Sequence, residues 1–328
     1  MKYIIVYFFI FCAVILCGQD IHLTQFYANP VYLNPAFTGA SCSRAAISYR
    51  NQWPAISKGY VSYILSADHY FSSSKSGVGL VFSNDVAGSG KLKSTTALFS
   101  YAYEANINRK YAIRIGLQAG MGIKSINVND LLFGDQIVRG GNVVTIENSI
   151  QSVKYFDSNT GVLFYGKKFW LGVSAFHLNR PNESITGNQE ARLPIKYSAH
   201  GGVKLLLAGD DLKNELKNTY FSPVIHYRHQ EKFDQLDVGC YFTKQMINLG
   251  FWYRGIPFFK SYKPGYANND AVAVLIGFSN DNFNVGYSYD FTISRLAANT
   301  SGAHEISLSY RYCTKKKLKK VLVACPKF

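Results

Sequence analysis

The sequence predicts an all-β fold: a transmembrane antiparallel β-barrel of about fourteen strands. Three observations predict it: long strands with one aromatic face, connections that alternate between short and long, and a composition rich in Tyr and Gly but poor in charge. The clearest strand is FNVGYSYDFTI, Phe283 to Ile293. Phe283, Val285, Tyr287, Tyr289, Phe291 and Ile293 share one parity, and Asn284, Gly286, Ser288, Asp290 and Thr292 the other. Globular strands average about five or six residues. A tilted strand needs roughly nine to eleven to cross a bilayer, with its apolar face to lipid and its polar face to the lumen.

Thirteen further runs have strand character. In chain order the predicted strands are 43–50, 59–70, 76–85, 94–106, 110–124, 155–165, 168–178, 194–206, 220–229, 233–243, 247–254, 270–279, 282–293 and 304–312. In the fifth, Tyr111, Ile113, Ile115, Leu117, Ala119, Met121 and Ile123 oppose Arg114, Gly116, Gln118, Gly120, Gly122 and Lys124. In the last, Ile306, Leu308, Tyr310 and Tyr312 oppose Glu305, Ser307, Ser309 and Arg311. Charge on the inward parity costs little where that face is wet. Tight links follow even-numbered strands, as at 166–167, 244–246 and 280–281, and long ones follow odd strands, as at 125–154, 179–193 and 255–269. Outer-membrane barrels pair short periplasmic turns with long outer loops. Two links break the rule: 208–219 is long and 230–232 is short. No repeat of propeller length occurs. A lumen this wide needs an occupant, and the candidates are 19–42 and the 125–154 loop, with an open channel as the alternative.

The chain has 328 residues, 24 Tyr, 23 Phe, 27 Gly and 17% charged residues. Met1–Gly18 reads as a secretory signal peptide, with Lys2 before an apolar core. Small residues do not precede Cys17 as a lipoprotein signal requires, and no later segment is a helical span. The domain division expected is signal peptide 1–18, lead-in 19–42, barrel 43–312 and basic periplasmic tail 313–328. The net charge of +15 is scattered through an exported chain. This points away from nucleic acid and toward an anionic membrane surface or an acidic protein. Cys42, Cys240, Cys313 and Cys325 form no metal-ligand spacing, so neither cofactor nor metal is expected.

No catalytic constellation appears, and no Gly-x-Ser-x-Gly or His-Glu-x-x-His occurs. The protein is therefore not expected to be an enzyme. His226 and His229 read as interfacial or loop histidines. Trp53 reads as an interfacial anchor. Phe258, Phe259 and Tyr262, with nearby lysines, make the 255–269 loop a candidate protein-contact patch. Lys316 and Lys320 belong to a basic tail that is a second candidate contact. Cys313 could close a loop with Cys325; Cys42 also falls near Cys313 if strand one neighbours strand fourteen, and both pairings are open. Cys240 points to lipid by parity. In the lead-in, Asn29-Pro30 and Asn34-Pro35 fix turns, Gly39 frees φ, and aromatic anchors surround them. This predicts a structured segment packed in the lumen or at its periplasmic mouth.

The lead-in, QDIHLTQFYANPVYLNPAFTG, resembles the opening of the PorP/SprF family of outer-membrane proteins of the Bacteroidetes type IX secretion and gliding system. Gln25, Phe26, Asn29, Pro30, Asn34, Pro35, Ala36 and Gly39 carry that match. Tyr49-Arg50-Asn51-Gln52-Trp53-Pro54 is similar to the family's Arg-x-Gln-Trp motif, and Gly302-Ala303-His304-Glu305 to its terminal strand, so Gln52, Trp53, His304 and Glu305 join the motif set. Ile21-His22-Leu23-Thr24 departs from the commoner family residues. The resemblance implies a cell outer membrane location, contact with outer-membrane lipid, and a non-enzymatic role supporting secretion or surface anchoring of a partner. That partner would be a secreted adhesin's C-terminal domain or periplasmic secretion-system components, with no nucleic acid. A channel for a small solute is the alternative.

Overall fold

The lumen-facing and lipid-facing parities of this chain alternate through a computed structural model that describes residues 20–40, 42–56, 59–88, 90–127, 131–141, 152–185, 191–209, 218–256, 261–263, 266–294 and 300–313. The expected signal peptide, the tail beyond Cys313, and Phe258, Phe259, Lys316, Lys320 and Cys325 lie outside these residues, as does the side chain of Tyr262. Fourteen strands form the wall. They are β1 Ser43–Gln52, β2 Tyr60–Phe71, β3 Ser76–Ala87, β4 Leu92–Asn106, β5 Tyr111–Ser125, β6 Ser152–Gly166 and β7 Phe169–Phe176. They continue as β8, broken at Lys204 into Lys196–Val203 and Leu205–Ala208, then β9 Thr219–Gln230, β10 Phe233–Lys244, β11 Ile247–Gly255, β12 Asn269–Ser279, β13 Phe283–Thr292 and β14 Ala303–Tyr312. Each pairs antiparallel with the next, and β14 pairs with β1 from Ser43↔Tyr312 to Gln52↔Ala303. The sheet is closed and has no free edge along this seam. All fourteen expected strands are present, including the short 230–233 hairpin, where Glu231 takes a positive φ of 54°.

Alternation places Leu80, Phe99, Ile115, Leu117, Leu171, Phe251, Ile276, Phe283 and Ile306 on the outside. These large apolar side chains, about half exposed or more in the isolated chain, make the lipid-facing band. Cys240 lies on this parity, paired across from Phe251. The other parity points inward and is buried, although the barrel is wide. The reason is a folded segment inside it. A 3₁₀ turn at Phe26–Ala28, the short helix α1 at Pro30–Leu33 and a second 3₁₀ turn at Pro35–Phe37 lie in the lumen. Leu23, Phe26, Val31, Leu33, Ala36 and Phe37 pack there against Ile64, Leu163, Trp170, Val224, Trp252 and Leu275 from the wall. In the described part of the second expected occupant, the 125–154 loop, α2 (Gly134–Val138) buries no residue, and Leu132, Ile137 and Val138 are exposed.

Cys313 is bonded to Cys42, with Cα atoms 5.1 Å apart. The Cys313–Cys325 pairing is therefore corrected. Barrel closure sets Ser43 opposite Tyr312, so the residues flanking this pair are held together by the ladder itself.

Candidate functional site: the occupied lumen

The two Asn-Pro pairs explain how so short a segment stays folded. Each proline opens a short helical turn, where its missing N–H is no loss. Asn34 Oδ1 accepts from the Ala36 N–H at 2.8 Å, while its Nδ2 donates to the carbonyls of Val162 at 3.2 Å and Val173 at 3.0 Å. One side chain thus caps a turn and ties it to β6 and β7. Asn29 Nδ2 reaches the Ile64 carbonyl of β2 at 3.5 Å. Wall residues make room for the segment. A Cβ on Gly116 would fall 2.3 Å from the Ala36 nitrogen and the Pro35 carbonyl carbon. At Gly39 φ is +67°, which lets the chain turn out of the lumen toward β1.

Three stretches that are far apart in sequence meet at Glu305. Its two oxygens accept the backbone N–H groups of Thr24 at 2.7 Å and Gln25 at 2.8 Å. Gln25 Nε2 donates to the Glu305 carbonyl at 3.0 Å and to Ser288 Oγ at 3.1 Å, and Ser307 Oγ donates to Gln25 Oε1 at 2.6 Å. Arg50 donates to Glu305 at 3.1 Å and to Asp290 at 2.8 Å. Arg254 bridges Asp290 and Asp237, each at 3.1 Å. Thr24 Oγ1 donates to Asp290 and accepts from both arginines. The lead-in, the Arg-x-Gln-Trp stretch and the terminal strand are thus one buried network. Gln25, Glu305 and Gln52 were candidates from sequence. Arg50, Asp290, Arg254 and Asp237 were missed as site residues, although their charge on the inward parity marked them.

A second cluster holds the other end of the segment. Arg114, fully buried, pairs with Glu104 at 2.7 Å and donates to the carbonyls of Ala36 and Thr38. Tyr165 donates to the same Glu104 at 2.9 Å. Asp68 accepts from the Gly39 N–H at 2.7 Å and pairs with Arg44 at 3.0 Å. The segment's first described residue, Asp20, pairs with Lys196 and with His177, one residue past β7; His177 also meets Asp157 at 3.0 Å. Burial opposes ionisation of Asp20, but Lys196 and His177 outweigh it and hold its carboxyl well below the usual range. Burial likewise favours neutral His177, yet Asp20 and Asp157 raise it to about 9.

Other expected residues sit apart. Trp53, at φ +60°, donates its N–H to the Gly302 carbonyl and meets Tyr60 edge-on, at the end of the barrel away from the disulfide. His304 lies on the outer parity between Tyr287 and Tyr289. His226 is neither interfacial nor in a loop: it is buried in the lumen, 4.9 Å from the Phe26 ring, because its parity faces in. Its neighbour His229 meets Asp234 at the short 230–233 hairpin. Among the described residues, no group of His, Cys, Asp or Glu is arranged to hold a metal ion.

A closed antiparallel barrel, apolar outside and filled inside by its own N-terminal segment, defines an outer-membrane β-barrel protein. The chain belongs to the family of type IX secretion system membrane proteins PorP/SprF, which matches residues 16–310. Its place is the outer membrane. Solved structures to which it is similar include the outer membrane protein Omp33 of Acinetobacter baumannii, at 9% identity, covering 84% of this chain and 100% of that one, with a TM-score of 0.41. The toluene transporter TodX of P. putida is similar at 9% identity, covering 86% and 93%, with a TM-score of 0.45. No curated protein matches the chain. The family is one of secretion-system membrane proteins, not of enzymes.

Proposed function

We propose that this protein is a non-enzymatic, partner-binding component of the type IX secretion and gliding apparatus, supporting secretion or surface anchoring of another protein. The partner is a secreted adhesin's C-terminal domain or a periplasmic component of the system. The observation that carries this reading is the lumen: residues 20–40 fill it and are tied to the wall at Glu305, Arg114, Asp68 and His177. A solute channel needs a continuous wet path, whereas a partner-binding barrel needs a rigid frame that displays loops and rims. Membrane contact through the outer apolar band is common to both.

Two measurements on the intact protein test this. In planar bilayers the partner-binding reading expects no steady conductance; an open, ion-conducting barrel would return the function to solute transport. In an affinity pull-down from detergent-solubilised native outer membrane, it expects a large secreted protein with a C-terminal secretion domain, or periplasmic secretion-system components. Recovery of the barrel alone would count against it.

A further inference from the structure

The lumenal segment has two ends, and they stand at opposite mouths of the barrel. Its last residues lie at the disulfide end, where the Gly39 N–H donates to Asp68 and Cys42 is bonded to Cys313. Its first residues lie at the other end. Asp20 pairs with Lys196, where β8 begins, and at 2.9 Å with His177, one residue past β7. Lys196 stands across from Gln230, at the edge of the 231–232 hairpin. His22 meets Arg228 of β9 at 3.4 Å, and the Ile21 carbonyl accepts from the Tyr32 hydroxyl at 3.1 Å. Thr24 and Gln25 then engage Glu305, which faces Arg50 near the Gln52↔Ala303 end of the seam. A plug folded up from the disulfide end, with its free end turned back, would set its first residues beside Ser43 and Tyr312. Asp20 lies at the far mouth instead.

The connections say which mouth is which. The links 72–75, 107–110, 167–168, 245–246 and 280–282 are at the disulfide end. The links 126–151, 177–195, 256–268 and 293–302 are at the other. Short turns face the periplasm and long loops face out in outer-membrane barrels. The 209–218 link is the long exception at the disulfide end, and 88–91 and 231–232 are short ones opposite. The balance puts the disulfide on the periplasmic side and Asp20 on the outer side.

We infer that the chain threads its own lumen, so that its amino-terminal end stands at the cell surface while β1 begins in the periplasm. This goes beyond the partner-binding reading and holds for either kind of partner. It sets the Asp20 end beside the 177–195 link, among the long connections that a partner outside the cell meets. Closure explains how an end that starts in the periplasm gets there. Thr24 and Gln25 bond to Arg50 and Glu305, which lie on the two sides of the β1–β14 seam. A segment lying along the open sheet is enclosed when these strands meet, and it has no closed wall to cross.

The test places one short epitope at each of three points in the full chain, in its native outer membrane: between Gln19 and Asp20, in the 231–232 hairpin, and in the 245–246 turn. Only heat-modifiable barrels are compared, and only in cells whose soluble periplasmic proteins stay unlabelled by the antibody. The first two epitopes are expected to be labelled on intact cells, and the third only after the outer membrane is opened. An amino-terminal epitope that is labelled only after opening, or not at all, while the hairpin epitope is labelled on intact cells overturns the threading. A hairpin epitope labelled only after opening overturns the outward direction. Where the amino-terminal epitope prevents folding, a Gly-Cys-Gly insertion at the same point, in a chain carrying Cys240→Ser and Cys325→Ser, decides the matter. Its thiol is expected to react with a membrane-impermeant maleimide on intact cells, and a thiol that reacts only after opening, or stays silent, overturns the inference.

Discussion

Arg114 shows what a single inward side chain does in this molecule. Its guanidinium neutralises Glu104 and also accounts for two carbonyls of the lumenal segment. Removing one partner of a buried pair strands the other charge, at a cost of roughly 3–5 kcal/mol, whereas removing both is often near neutral. Arg114→Met is therefore expected to destabilise the barrel by roughly that amount, and Arg114→Met with Glu104→Gln by clearly less. Denaturant unfolding of the four proteins in the cycle measures it; equal losses for single and double variants would refute the coupling. Gly116 makes the complementary point by what it lacks. Gly116→Val sets side-chain atoms where Pro35 and Ala36 lie. The expected outcome is a barrel that still folds but whose N-terminal segment is cut by protease and whose lumen conducts ions, read by gel and planar bilayer. An intact, protease-resistant segment in that variant would mean the close approach is not essential.

At the scale of elements, the lumenal segment behaves as a latch held at both ends. Its first end depends on His177 and Asp20. The pKa of His177 is raised above its ordinary 6.5 to about 9, so its contribution is fully present below about 6.5 and is lost as pH rises through about 9. Asp20 is shifted the other way, so its contribution is present above its ordinary 3.8 and is lost as pH falls through the lower native value. The start of the segment is thus expected to be most protected between those limits. Hydrogen exchange of residues 20–25 should quicken above pH 9 in the wild type, and Asp20→Asn should lower the His177 pKa followed by NMR of its ring. An unshifted His177 would show that Asp20 is not its partner. The wall has a related device. β7 is eight residues against fifteen in β6. Past their shared ladder, Asn179 stands in for a strand: its Nδ2 donates to the Phe156 carbonyl at 2.6 Å and its Oδ1 accepts from the Ser158 N–H at 3.1 Å. A side-chain amide caps an edge that would otherwise be open to pairing.

For the whole molecule, closure is the decisive event. The β1–β14 seam and the Cys42–Cys313 bond lock it at the end where the chain enters β1 and leaves β14. The bond spans a sequence separation of 271, and constraint of a loop that long is worth roughly 2–5 kcal/mol. Cys42→Ala is expected to lower the temperature at which the detergent-folded barrel shifts to its unfolded gel position, and reductant should do the same to wild type but not to the variant. Identical melting of all three would deny the bond a stabilising role.

The alternating pattern was legible because lipid and lumen impose opposite chemistry on successive residues, so strand number and parity followed from period two, and the short and long connections gave a separate test. The lead-in's turns were legible too, since proline and asparagine act locally. Which of its two expected places the lead-in takes, lumen or mouth, was not, because local turn chemistry fixes a shape and not an address. Apolar residues on the inward parity, such as Ile64, Leu163, Trp170 and Trp252, carried that signal. Nor was the meeting of Gln25, Arg50, Asp290 and Glu305 legible. Their contacts span 240 to 280 positions and exist only once the sheet closes. Sequence by itself determined the barrel and its family. Tertiary structure decided what fills it, which cysteines join and which charges pair, because those are properties of distance across a closed wall rather than of order along a chain.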